Sequence, residues 1–172
     1  PHARLLSQAV ALIKGGGANE PKGVMSTAGI QTANLATLSW ANVSAMIGKL
    51  EAVNANVASS AWLVAPAAAG ALRTTLKSAS AGANYLLQDG RLGELPVYVT
   101  NQVPTVGTAP AKNVAILGDW SQVMLGIWSE IDILVNPFAE APYKKGNVLV
   151  RAMSTVDIGV RHPEAFVVAS DL

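Results

Sequence analysis

The sequence predicts an α+β subunit shaped for contact with other chains, and three observations carry that expectation. From Asn147 to Arg161 apolar and polar residues alternate, with Val148, Val150, Ala152, Val156, Ile158 and Val160 on one side and Asn147, Arg151, Thr155, Asp157 and Arg161 on the other. That period of two marks a half-buried strand. At about 3.3 Å per residue it reaches about 50 Å, far beyond the usual strand of about 5–6 residues, which suits an extended subunit better than a compact globule. Helical periodicity elsewhere supplies the α part. Finally, hydrophobic residues make up 51% of the chain and charged residues 13%, about half the charge of a typical soluble domain. So few charges leave apolar surface for partners to cover.

The elements follow in order. Leu5, Leu6, Ala9, Val10, Leu12 and Ile13 repeat at helical spacing until Gly15, Gly16 and Gly17 stop the helix. Ser39 is placed to cap a second helix carrying Trp40, Val43, Ile47, Leu50 and Val53, which ends near Asn54. Trp62–Ala65 reads as a short strand. Pro66 then opens a helix through Lys77, because proline's missing N–H is not needed in a first turn. After a small-residue loop at Ser78–Asn84, Leu95–Thr100 and Asn113–Leu117 read as strands around the loop Asn101–Lys112. Val123–Trp128 and Ile131–Val135 suggest a hairpin or bent pair with Glu130 and Asp132 on its wet side, broken at Asn136 and Pro137. The long strand is expected to pair with Ala165–Ala169, with Leu149 and Met153 covered by another element or subunit.

Composition also bounds the chemistry. Net charge is +1 and the only adjacent basic pair is Lys144 and Lys145, so there is no electrostatic footprint for specific nucleic-acid binding. Absence of cysteine excludes disulfides, thiolate catalysis and sulfur-based zinc sites. The most apolar run, Val123–Val135, is interrupted by Glu130 and Asp132 and is too short to span a membrane. The opening Pro1, His2, Ala3 and Arg4 lack the apolar core of a signal peptide.

Candidate site residues are few. Gly15–Gly23 contains glycines and Lys22, but a phosphate loop needs glycine before lysine and a helix after it, and here a helix comes first. His2 and His162 are far apart, and Pro163 biases His162 toward an extended strand-end conformation. Asp119, Glu130, Asp132 and Asp157 share no spacing that would pair an acid with a base. There is no nucleophile elbow. Trp40, Trp62, Trp120 and Trp128 sit in apolar runs and read as core anchors, or as hot spots if one meets another subunit. The expectation is no catalytic, cofactor-binding or metal site.

A resemblance joins these pieces. Ala115–Gln122, Glu130–Val135, Val150–Asp157 and His162–Phe166 resemble, in order and spacing, the closing segments of tailed-phage major capsid proteins of the Hong Kong 97 type. Ala11–Ile30 is similar to the family's passage from a long spine helix through a glycine-rich turn, and Trp62–Pro66, Leu72 with Arg73, and Gly93–Thr100 are similar to its axial domain. The resemblance implies a peripheral domain from residues 1–35 and 131–172 around an axial domain at 36–130. Nothing before Pro1 corresponds to the family's N-terminal arm, extended loop or most of the spine helix, so the chain is expected to be a C-terminal portion. Asn147 lies near the position at which some members form an isopeptide cross-link to a lysine, although its reading here is an ordinary strand start.

The implied function is structural: self-assembly through pentamers and hexamers into an icosahedral head shell around double-stranded DNA. Packaged DNA would be held nonspecifically, portal and scaffold or protease proteins would be further partners, and no membrane is involved. The shell would assemble in the bacterial host cytoplasm and end in the virion. A bacterial nanocompartment shell is the alternative within the fold, and a small hydrolytic or transferase domain using Asp119, Glu130 or His162 the alternative outside it.

Overall fold

A computed structural model describes residues 12–18, 20–80, 82–107, 110–138 and 144–172, apart from the side chain of Glu130. His2 and most of the expected first helix lie outside the described residues; residues 12–14 are helical and lead into the glycine turn. Two α-helices and nine strands follow: β1 (Gln31–Ala33), α1 (Trp40–Ala52), β2 (Ser60–Val64), α2 (Pro66–Thr74), β3 (Leu87–Gln88), β4 (Arg91–Leu92), β5 (Leu95–Val99), β6 (Ala115–Asp119), β7 (Val123–Asn136), β8 (Leu149–Val160) and β9 (Phe166–Ala169).

Local chemistry sets the helix starts. Ser39 is extended and its hydroxyl accepts the amide of Asn42, satisfying a donor that the first turn leaves free. Pro66 occupies the first turn of α2. Seven strands form one mixed sheet in the order β1-β9-β6-β2-β5-β4-β3. The pairs β1–β9 and β2–β5 are parallel and the others antiparallel. Asp89 and Gly90, and Gly93 and Glu94, all have positive φ and make the tight turns that fold β3, β4 and β5 back on one another.

Strand alternation splits the core in two. Trp62, Val64, Ala115, Leu117, Val167 and Ala169 face one side, where Val43, Met46 and Leu50 of α1 and Ala68, Ala69 and Leu72 of α2 cover them. Ile116, Phe166 and Val168 face the other, packed with Ile13, Val24, Val103 and Val114. Trp62 is fully buried, and its indole N–H donates to the Leu92 carbonyl at 2.9 Å, which ties the central strand to β4.

β7 and β8 form a separate two-stranded antiparallel ribbon that rises from this body. Two expectations about the strands are corrected by the pairing. The long strand pairs with β7, whereas Phe166–Ala169 pairs with β6 and β1 in the central sheet. Val123–Val135 is one continuous strand rather than a hairpin; irregularities between Ile127 and Ser129 and between Ser129 and Asp132 absorb the break in its pattern. Residues 130 and 131 both lie within β7, and β1 and β9 belong to the seven-stranded sheet. Among the described residues no helix is long and apolar enough to cross a membrane.

Candidate assembly surface

The ribbon register sorts its side chains into two faces. Val123 pairs with Val160, Leu125 with Ile158, Ile127 with Val156, Ile133 with Ala152 and Val135 with Val150. Paired residues point the same way, so these ten build one apolar face from root to tip. The opposite face carries Met124 and Gly159, Gly126 and Asp157, Ser129 and Thr155, Asp132 and Met153, and Leu134 and Arg151, and is mixed. The irregularities in β7 insert residues without exchanging the faces, so apolar residues recur on the same face along both halves of the strand, with Ser154 of β8 between Val156 and Ala152.

That apolar face is covered only near its root. Ile158 is buried, and Val123 and Val160 pack against the second core cluster, where Trp120 meets Phe166 edge-on with ring centroids 5.5 Å apart. Further out Ile127, Ile133, Val135 and Val150 are all roughly 60% exposed, and Trp128, at the first irregularity, is 70% exposed. Isolated apolar residues on a surface need no explanation, but a continuous apolar stripe marks an interaction surface. Of the four tryptophans, Trp62 and Trp120 are anchors as expected; Trp40 lies at the surface beneath the Lys77 ammonium, 4.6 Å from its ring centre, and Trp128 stands out from the ribbon.

At the root, Asp119 is 2% exposed and fully engaged. Its Oδ1 accepts the Ser59 hydroxyl at 2.9 Å, the Ser121 amide at 3.1 Å and the Ser121 hydroxyl at 2.7 Å, while Oδ2 accepts the Gln122 side-chain amide at 3.2 Å. Burial pushes the carboxyl pKa up, but the bonds from the Ser121, Gln122 and Ser59 side chains and the Ser121 amide outweigh it, holding the group below the ordinary carboxylate range. The Arg161 amide donates to the Gln122 carbonyl at 3.0 Å, closing the two legs of the ribbon on each other. The sequence reading of Asp119 as a carboxylate on a solvated strand face is corrected by its burial, and that reading gave no role to Ser59, Ser121 or Gln122. The available signal was Asp119-x-Ser121, the spacing with which an aspartate caps a following turn.

A cavity of about 530 Å³ lies beside this root, lined by Asn54, Asn56, Asp119, Arg161, His162 and Glu164 among others. Both oxygens of Asp119 accept donors from within the fold, three on Oδ1 and one on Oδ2. Asp132 and Asp157 sit on the mixed ribbon face four residues of β8 apart in register, about 13 Å, and do not meet. Glu130 belongs to β7, its side chain being outside those described. Among the described residues no group of three or more His, Asp or Glu could hold a metal ion. The glycine turn closes on itself: Gly23 N–H donates to Gly15 O at 2.9 Å, and Gly16 N–H to the Glu20 carboxylate at 2.8 Å. An amide already bonded to an internal carboxylate is no phosphate cradle. β8 begins at Leu149, two residues after Asn147, so Asn147 lies just ahead of the strand it was expected to start.

Comparison with known proteins agrees with this architecture. The model of the phage capsid family matches residues 5–171. A major capsid protein of Halomonas phage phiHAP-1 is 24% identical over 152 residues, which cover 88% of this chain and 24% of that protein. Among solved structures, the capsid of a native GTA particle superposes with a TM-score of 0.70 at 21% identity, covering 98% of this chain and 61% of that one. The SrpI encapsulin of Synechococcus elongatus gives 0.64 at 12% identity, covering 99% and 62%. The chain thus spans about a quarter of the curated relative and about three-fifths of these solved chains.

Proposed function

The chain belongs to the phage capsid family, and from that premise we propose that it is part of the structural subunit of an icosahedral phage or prophage head. The family match across residues 5–171 is the observation that carries this reading. The exposed apolar face of the ribbon supports it, because a shell subunit keeps such a face for its neighbours. In this reading the seven-stranded body with α1 and α2 forms the domain around the capsomer axis, and the glycine turn and ribbon form the periphery. Subunits meet through heterologous contacts that close into pentamers and hexamers. The reading has no catalytic step and needs no cofactor. Double-stranded DNA inside the shell is held nonspecifically, consistent with a net charge of +1 without basic clusters. Portal and scaffold or protease proteins are proposed as further head partners.

Electron microscopy of the full-length protein expressed alone tests the proposal: closed shells are expected, and soluble subunits that never close under any condition overturn it. A second reading has one observation in its favour, the fold shared with the SrpI encapsulin. It makes the shell a bacterial nanocompartment. The contents separate the two, since a phage head packages DNA whereas a compartment encloses a protein cargo.

A further inference from the structure

The ribbon is held to the body by a small number of contacts, and they are unequal on its two sides. On one side Val123 and Val160 pack against the core, and Ile158 beside them is buried. On the other lies the cavity of about 530 Å³ between the loop after α1 (Val53–Asn56) and the turn after β8 (Arg161–Ala165). Dense packing leaves a side chain one arrangement, but a root with open space on one side can tilt into it unless a directional bond prevents it. Asp119 makes that bond. It ends β6, its Oδ1 takes Ser59 from the turn before β2, and the same oxygen takes both the amide and the hydroxyl of Ser121 in the turn that starts the ribbon.

We propose that Asp119 is a positioning residue that fixes the angle at which the β7–β8 ribbon leaves the body, and through that angle the curvature at which neighbouring subunits join. The second clause rests on the shell reading; the first does not. One buried carboxylate oxygen that gathers donors from the body and from the ribbon turn couples the two directly, because charge-assisted bonds are short and angle-selective. Gln122 on Oδ2 holds the carboxylate plane, so that Oδ1 stays aimed at the other donors.

The test uses the full-length protein with three variants. In Asp119→Ala, amide hydrogen exchange at Arg161 and in the first root pairs of β7 and β8 is expected to quicken by about tenfold relative to Trp62–Val64 and Ile116–Leu117 in the body. Assembled particles of that variant are expected to show a broadened range of diameters. Asp119→Asn keeps an oxygen acceptor at the Oδ1 position without the charge and is expected to restore part of the root protection and a narrower range of diameters than Asp119→Ala. If Asp119→Ala does not fold, Ser121→Ala decides: it removes one hydroxyl tie and should loosen the root in the same direction by a smaller factor. Equal acceleration in root and body would make Asp119 a plain stability residue and overturn the proposal. So would unchanged root exchange in folded Asp119→Ala, or in Ser121→Ala. The exchange measurement decides the positioning role even for a protein that forms no shells, a result that would count against the shell reading instead.

Discussion

Gly118 and Asp119 are neighbours on β6, and each is fixed by what surrounds it. A Cβ built on Gly118 would stand 2.2 Å from Cδ1 and 2.6 Å from Cε1 of Phe166, a fully buried ring held edge-on by Trp120. The ring has no free side to retreat into, so Gly118→Ala is expected to cost about 1–3 kcal/mol through overpacking, read as a lower denaturant midpoint with unchanged slope. For Asp119 the expectation is a pH signature. Its folded-state pKa lies below the unfolded value, so the carboxylate contributes stability that is fully present above about pH 4 and is lost as pH falls through the lowered folded value. Asp119→Ala leaves the Ser59, Ser121 and Gln122 donors without that acceptor, a loss of about 1–3 kcal/mol at neutral pH. The gap in urea midpoint between parent and variant should therefore narrow as pH falls below about 4; a constant gap would show that the charge is not what Asp119 contributes.

At the scale of elements, the ribbon shows how much the sequence disclosed. Alternation in Asn147–Arg161 identified the apolar face of β8 correctly, since that signal is local and every ladder pair repeats it. The partner strand was misassigned because Val123–Val135 does not alternate cleanly: its two irregularities shift the phase, and Phe166–Ala169 is apolar throughout because both of its faces are buried in the central sheet. α1 and α2 were legible from Ser39 and Pro66, whereas β1, β3 and β4 are too short to carry a period. The root site was illegible for a different reason: its donors come from Ser59 and Ser121, which only the folded chain brings together. The ribbon itself predicts a contrast along one face. Ile158, buried at the root, should not tolerate a charge, and Ile158→Asp is expected to cost several kcal/mol in urea unfolding. Ile133 lies on the same face but is 65% exposed, and Ile133→Lys should change stability by less than about 0.5 kcal/mol. Val156, between them, is only half-buried, so the severe penalty belongs to Ile158.

For the whole molecule, the question is what the exposed stripe does when this chain is alone in solution. β7 has 14 residues and β8 has 12, which at about 3.4 Å per residue makes a ribbon about 45 Å long and about 10 Å wide, or about 450 Å² per face. Two such faces pressed together would bury about 900 Å² in total, just under the roughly 1,000 Å² that stable interfaces exceed. Association through the ribbon alone is therefore expected to be weak and concentration-dependent, with residues 1–172 passing from monomer to small oligomer across the micromolar range in light scattering. Because the driving surface is apolar, raising salt should not disperse the oligomers, as it would for an assembly held by exposed ion pairs. Ile133→Lys places a charge in the middle of the stripe and should leave the chain folded but shift the onset of association to higher concentration by about tenfold or more. Persistence of the parent behaviour in that variant would move the contact off the ribbon. Discrete shell-sized particles formed by residues 1–172 would overturn the area argument altogether, since a ribbon interface of this size cannot hold a closed shell by itself.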